Sequence, residues 1–423
     1  MLSTTRPTPA TGWADRRLLV PALVGWVWAR VCVGLGFVVA HRLTPDPALA
    51  AREDFPLPRG LMSWDAFFYE RILVAGYGGT PTDGVRFFPG YPFLARLLTP
   101  VFAGHADLAL IVVANVTALL GAVVLARLAL EVLGDGGGGG DGPDPAVGDS
   151  RDAVSVAART AWIVAVIPAA IVFVWAYSEG LALVLTAGTL LALHRRAFAW
   201  AGALAAAACL VRPTGLLLLV PIVVELVRRR PRPLPAVAAV AGPLAGFAVA
   251  LAVIQRTTGS WTSPFDAQQP IRGEFRFPLV RAAEAVWGLR FNTDTELVPY
   301  VVLWAVLLGV AVWKRQPLSW ILFSAVTLLV ACSSQTIDSI GRYGLLAVPL
   351  VVALAQWADR NWRTAIVGAV GSAGLVLTTV QALQGRIVPW PTPPAPPPPP
   401  HHPPTRTCTA GSSETNQPYK FEG

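Results

Sequence analysis

LLVPALVGWVWARVCVGLGFVVA, residues 18–40, is the stretch whose reading decides the fold. The hydrocarbon core of a bilayer takes about 20 apolar residues per helix, with roughly 17 to 25 tolerated. This run meets that length directly after Arg16 and Arg17. It is long for the apolar part of a secretory leader and has no small-x-small cleavage site before His41, so it reads as a retained anchor. Further apolar runs follow at 109–133, 158–176, 180–193, 197–211, 214–227, 234–254, 298–313, 318–331, 344–357 and 364–383. The pattern predicts an all-α, polytopic transmembrane protein of about 11–13 membrane helices. The run 89–103 is apolar but short and flanked by prolines, and is expected to be re-entrant or interfacial rather than spanning.

Composition agrees with this class. Hydrophobic residues make up 54% of the 423 and charged residues 14%, against roughly a quarter charged in a soluble domain. The formal net charge of +8 sits in short clusters between apolar runs rather than on one face, so the clusters read as topology signals and no nucleic-acid partner is expected. Short arginine- or lysine-rich loops stay in the cytoplasm. Such loops occur at His194–Arg196, at 228–232, at Lys314 and Arg315 and at 360–363, in addition to the basic N-terminus. With 89–103 not crossing, all of them fall on one side. The N-terminus (1–17) is then cytoplasmic, and segments 41–88, 177–179, 212–213, 257–297 and 333–342 face the exterior.

Lysine occurs only as Lys314 and Lys420 beside many arginines and abundant alanine, a usage expected of a GC-rich bacterial genome, which places the chain in a bacterial plasma membrane. The membrane domain is expected at 18–383. It is interrupted by a flexible acidic glycine-rich linker at 134–152 and followed by a proline-rich tail at 384–423. Cys32, Cys209 and Cys332 lie in apolar runs, Cys408 lies in the tail, and His401 and His402 are incidental there. No paired spacing for a metal or disulfide framework exists, so no cofactor and no metal site are expected.

The residues that bear chemistry concentrate outside the first span, in SWDAFFYERILVAGYGG (63–79) and VRFFPGYP (85–92). Asp65 follows Trp64 beside an aromatic run, where a carboxylate next to hydrocarbon loses hydration and becomes more basic, as a general base requires. The competing reading is an ordinary loop acid within an interfacial aromatic belt. Glu70 and Arg71 are expected to pair with each other in a structural role. Arg86, Arg212 and Arg342 fall on the expected outer side next to apolar runs, either as snorkelling side chains or as forked donors matched to phosphate oxygens. The exterior loop 257–297 carries Trp261, Phe265, Gln268, Gln269, Arg272 and Trp287, a mixture that suits sugar binding and equally suits any membrane-surface loop.

The chain contains WD at Trp64–Asp65, AGY at 75–77, FFPGYP at 87–92, AYSEG at 176–180, VRPTG at 211–215 and GRY at 341–343. In this order the motifs resemble the PIG-V mannosyltransferases of glycosylphosphatidylinositol anchor assembly and their bacterial relatives, within the glycosyltransferase C superfamily. The resemblance covers most of the membrane domain. Departures are Gly90, where a bulkier apolar residue is common, the glycine linker and the proline tail. The resemblance implies a multi-helix membrane glycosyltransferase with its active site on the exterior face. It further implies a polyprenyl-phosphate-sugar donor, inversion at the anomeric carbon, and Asp65 as the catalytic base. Arg86, Arg212 and Arg342 are read as donor-phosphate ligands. Trp64, Tyr77, Tyr91, Tyr177, Glu179, Asp338 and Tyr343 are read as substrate-binding or supporting residues. The expected partners are the bilayer, a lipid-linked sugar donor and a glycolipid, polysaccharide or protein acceptor. The alternative is a polytopic transporter or lipid-carrier flippase, which would place ionisable residues or broken helices near the midplane.

Overall fold

The computed structural model describes residues 15–44, 56–135, 150–288 and 297–385. The N-terminal 14 residues, most of the glycine linker and the proline-rich tail, with His401, His402 and Cys408, lie outside the described residues. Among the described residues the fold is all-α. Its principal helices are α1 (Arg16–Leu43), α2 (Asp65–Ala75), α3 (Gly90–Leu98), α4 (Ala106–Gly134), α5 (Ser150–Val166), α6 (Glu179–His194), α7 (Phe198–Val211) and α8 (Leu219–Arg229). They continue as α9 (Pro233–Thr258), α10 (Pro278–Gly288), α11 (Val298–Trp313), α12 (Leu318–Ala331), α13 (Ile340–Leu346), α14 (Pro349–Trp357) and α15 (Asn361–Leu383).

α1, α4, α9 and α15 are each long and apolar enough to cross a membrane, while α6, α7, α11 and α12 are apolar but shorter. α1 shows why the sequence takes this form. Asp15 caps its start by accepting from the Arg17 amide. Its inward face carries small residues such as Ala22, Gly25, Ala29 and Gly36, whereas Val20, Leu23, Val24, Val31 and Val38 stay exposed. Lipid is as apolar as valine, so burying large side chains brings little; small residues let helices approach and gain dispersion contacts instead. The same device is plainest where α7 crosses α9: a Cβ on Gly242 would lie 2.2 Å from the Gly202 carbonyl oxygen, and one on Gly246 would lie 2.2 Å from that of Ala206.

Three of the expected runs are broken. The run near 158–176 ends as a helix at Val166, continues as a 3-10 turn over Pro168–Phe173, and then unwinds before α6. The run 214–227 opens with a 3-10 turn from Pro213, and 344–357 is split into α13 and α14, bent by 82°. Each break sits at a proline (Pro168, Pro213, Pro349) whose ring removes an amide donor and clashes with the preceding turn. Freed backbone groups at membrane depth need partners within the protein. Around 173–174 these come from Arg30 and Asn115. The Arg30 guanidinium donates to Phe173 O at 2.9 Å and to Asn115 Oδ1, and Asn115 Nδ2 donates to Val174 O at 2.9 Å. The Ala176 amide donates to Leu61 O at 3.1 Å. The unwound stretch is thereby fixed against α1, α4 and the segment before α2, and it delivers Tyr177, Ser178 and Glu179 to the interior.

Candidate functional site

α2 begins at Asp65, directly after Trp64, whose φ of 61° is rare for a large side chain. Such a conformation costs about 1–3 kcal/mol and persists only where surrounding contacts impose it. Here Trp64 Nε1 donates to Ala382 O of α15 at 3.2 Å, and the Asp65 amide donates to Tyr177 Oη at 3.3 Å. The carboxylate is turned inward, 4% exposed, and Oδ2 is held by Arg342 Nη1 of α13.

That ion pair is one end of a continuous polar network. Arg342 Nη1 also lies 3.4 Å from Glu179 Oε1, which accepts from Arg212 Nη1 at 2.6 Å. Arg212 Nη1 is 3.1 Å from Ser178 Oγ, which is 2.8 Å from Tyr69 Oη on α2. Glu179 is fully buried, and among the described residues its Oε2 has no hydrogen-bond partner. Burial raises the Tyr69 phenol well above its ordinary range, so it stays neutral. Motifs spread from 64 to 343 thus meet through side chains.

Beside the network lies a cavity of about 280 Å³. Its polar lining includes Asp65, Arg86, Arg212, Arg272, Asp338 and Arg342. Four guanidinium groups face two carboxylates there, a balance that favours an anionic guest. Burial pulls the Arg86 guanidinium below its ordinary value. Asp65 opposes that effect, while Arg342 and Arg272 add to it.

Of the expected site residues, Asp65, Arg86, Arg212, Asp338, Arg342 and Tyr343 line this one cavity. Trp64 and Tyr177 instead line a smaller, apolar chamber of about 80 Å³ that shares Asp338 and Arg342 with it. Tyr77 and Tyr91 point elsewhere: their hydroxyls donate to Phe87 O at 2.7 Å and Leu110 O at 2.8 Å, so Tyr77 braces the backbone of the FFPGYP motif and Tyr91 ties that motif to α4. Glu179 stands behind the cavity, joining two of its arginines. The expected Glu70–Arg71 pair does not form. Glu70 faces Arg59 at 3.3 Å, and the Arg71 guanidinium lies over the Phe67 ring at 5.8 Å, because neighbours in a helix point some 100° apart. Gly90 has a local reason: a Cβ there would meet the Leu210 carbonyl carbon at 2.8 Å, so α3 can lie against α7 only without one.

Tyr69 also lines the cavity although sequence reasoning gave it no role, and Arg272 and Thr214, named there only as members of the 257–297 loop and of the VRPTG motif, line it as well. In the segment 257–288, Phe265, Gln268 and Arg272 line the cavity, whereas Trp261 and Trp287 are exposed. The loop is tied down by backbone hydrogen bonds from Gln335 N to Glu274 O at 3.1 Å and from Thr336 N to Arg272 O at 3.2 Å.

No protein-family model and no curated protein matches the chain. Among solved structures, it is similar to the archaeal oligosaccharyltransferase AglB from Archaeoglobus fulgidus in complex with an inhibitory peptide and a dolichol-phosphate. The identity is 10%, the TM-score 0.40, and the match covers 85% of this chain and 56% of that one. A second structure of the Archaeoglobus fulgidus oligosaccharyltransferase, in complex with Zn and sulfate, gives 11% identity, a TM-score of 0.40 and coverage of 84% and 53%. The chain therefore spans little more than half the length of either. Likeness at this level does not bear on what the chain does.

Proposed function

We propose that this protein is an integral membrane glycosyltransferase of mannosyltransferase type that moves a sugar, with inversion, from a polyprenyl-phosphate carrier to an acceptor hydroxyl on the exterior face of a bacterial plasma membrane. The observation that carries the reading is one buried carboxylate, Asp65, placed in a cavity with four arginines. Nucleotide sugars are charged and made in the cytoplasm, so an outward-facing site takes a donor already carried across on a lipid. In the reaction the acceptor oxygen attacks the anomeric carbon, the sugar–oxygen bond to phosphate breaks, and the electron pair leaves with the lipid phosphate. Asp65 receives the acceptor proton. With Oδ2 engaged by Arg342, Oδ1 is the oxygen left for that proton. The leaving phosphate departs as an anion and needs guanidinium donors rather than an acid. Asp338 is suited to hold sugar hydroxyls, and Glu179 to fix Arg212 and Arg342. The acceptor is a glycolipid, a polysaccharide or a protein.

The bent α13–α14 pair is a feature that also suits a transporter or flippase, and one experiment separates the readings. Purified protein is placed in vesicles with radiolabelled polyprenyl-phosphate mannose and membrane extract. Both sugar transfer and lipid movement across the bilayer are followed. Transfer is expected, and Asp65→Asn should lower it by about 10²- to 10⁴-fold, the usual contribution of a positioned base. Transfer at the wild-type rate by that variant would remove Asp65 from the base role, and lipid movement without transfer would favour the transporter.

A further inference from the structure

Arg212 and Arg342 are already charge-compensated, the first by Glu179 and the second by Asp65 and Glu179. Arg272 differs. Among the described residues no carboxylate lies within ion-pairing distance of it. Its protein partner is a phenol: Nη2 donates to Tyr343 Oη at 3.1 Å, and the guanidinium stands 5.4 Å from the centre of that ring. One of five N–H donors is used, so an open edge of the fork remains on a cavity wall.

The backbone that carries it is also held in place. The Ile271 and Arg272 carbonyls accept from the Thr336 hydroxyl at 3.3 Å and the Thr336 amide at 3.2 Å. The chain turns immediately afterwards at Gly273, with φ +68°, where a Cβ would sit 2.3 Å from Gln335 Oε1. A half-buried cation, rigidly mounted and lacking an internal counter-charge, is an arrangement that an incoming anion completes.

Building on the glycosyltransferase reading, we infer that Arg272 is the principal ligand of the phosphate monoester in the donor and in the released lipid phosphate. Arg212 and Arg342 instead serve to hold Glu179 and Asp65. The division follows from charge. A phosphate arriving at Arg342 must compete with Asp65 and Glu179 for the same Nη1, whereas at Arg272 it meets unshared donors.

The test is equilibrium binding of a short-chain polyprenyl phosphate to the full protein in detergent, read by tryptophan fluorescence, with the matching polyprenol and inorganic phosphate as comparison ligands. Wild type should bind the lipid phosphate more tightly than the alcohol. Arg272→Ala should weaken lipid-phosphate binding by about 10- to 100-fold, the worth of charge-assisted hydrogen bonds, and leave polyprenol binding unchanged. Arg272→Lys should restore part of the loss, and Gly273→Val should weaken binding by displacing the fork. Asp65→Asn removes a carboxylate that competes for Arg342 and should therefore not weaken lipid-phosphate binding, whereas it lowers sugar transfer, which separates this inference from the base assignment. If inorganic phosphate displaces the lipid phosphate in wild type but not in Arg272→Ala, recognition is of phosphate rather than chain. Lipid-phosphate binding by Arg272→Ala equal to wild type would overturn the inference alone. Failure of wild type to prefer the phosphate over the alcohol would overturn both it and the proposed function.

Discussion

Glu179 is the joint of the polar network, and removing its charge tests whether the network is cohesive. Its Oε1 lies 2.6 Å from Arg212 Nη1 and 3.4 Å from Arg342 Nη1, and the residue is fully buried. Truncation to alanine leaves two buried guanidiniums facing each other, with Asp65 as their remaining carboxylate partner. Breaking a buried pair from one side costs about 3–5 kcal/mol, a large share of a total stability of roughly 5–15 kcal/mol. Glu179→Gln keeps an acceptor near the Oε1 position and loses only the charge. Its cost should stay near the ~1.5–3 kcal/mol of a hydrogen bond to a charged group. The assay is unfolding of the purified protein in a fixed detergent–lipid mixture, followed by tryptophan signals. The expected order is wild type, Glu179→Gln, then Glu179→Ala. A double variant, Glu179→Leu with Arg212→Met, should regain part of the loss because an apolar pair of similar volume avoids desolvation. If Glu179→Ala unfolds within about 0.5 kcal/mol of wild type, as an unremarkable surface change would, the bridging role is wrong.

Two more perturbations address the scaffold. Gly242→Val should separate α7 from α9, since its side chain would enter the Gly202 backbone. A loss of about 1–3 kcal/mol is expected from overpacking, whereas Gly34→Ala, whose Cβ meets nothing within 4 Å, should unfold like wild type in the same detergent measurement. Arg30→Met removes the donors to Phe173 O and Asn115 Oδ1, leaving buried acceptors at about 1–3 kcal/mol each. Sugar transfer should fall although Arg30 lies outside the cavity lining, and Arg30→Lys should recover part of it.

The membrane class was legible because length and apolarity alone set a span, and Asp65, Arg86, Arg212 and Arg342, which interrupt hydrophobic sequence, line one cavity as the sequence led us to expect of a shared site. What stayed hidden were pairings that depend on the third dimension. Nothing in the sequence near Glu70 indicates that Arg59 rather than Arg71 meets it. Tyr77 and Tyr91 sit in the motifs yet donate to the backbone carbonyls of Phe87 and Leu110, because a buried phenol takes whichever carbonyl is near. Arg30 is a single cation within an otherwise apolar run, and its purpose becomes visible only when Pro168 unwinds the chain beside it. The broken runs could have been anticipated from Pro168, Pro213 and Pro349, had proline been weighed above hydropathy. Arg272 stood out only as one polar residue of the 257–297 loop, since its distinction, that no carboxylate among the described residues lies within ion-pairing distance, exists only in space.

The bond between Asp65 and Arg342 spans 277 positions of sequence. At about 5–20 residues per second of synthesis, the acid is made about 14–55 s before the cation that will neutralise it. During that interval the half-made protein carries a charge it has not yet been able to bury. Any pause in translation between α2 and α13 prolongs that exposure, so the order of synthesis leaves the acid unpaired until the last third of the chain is made.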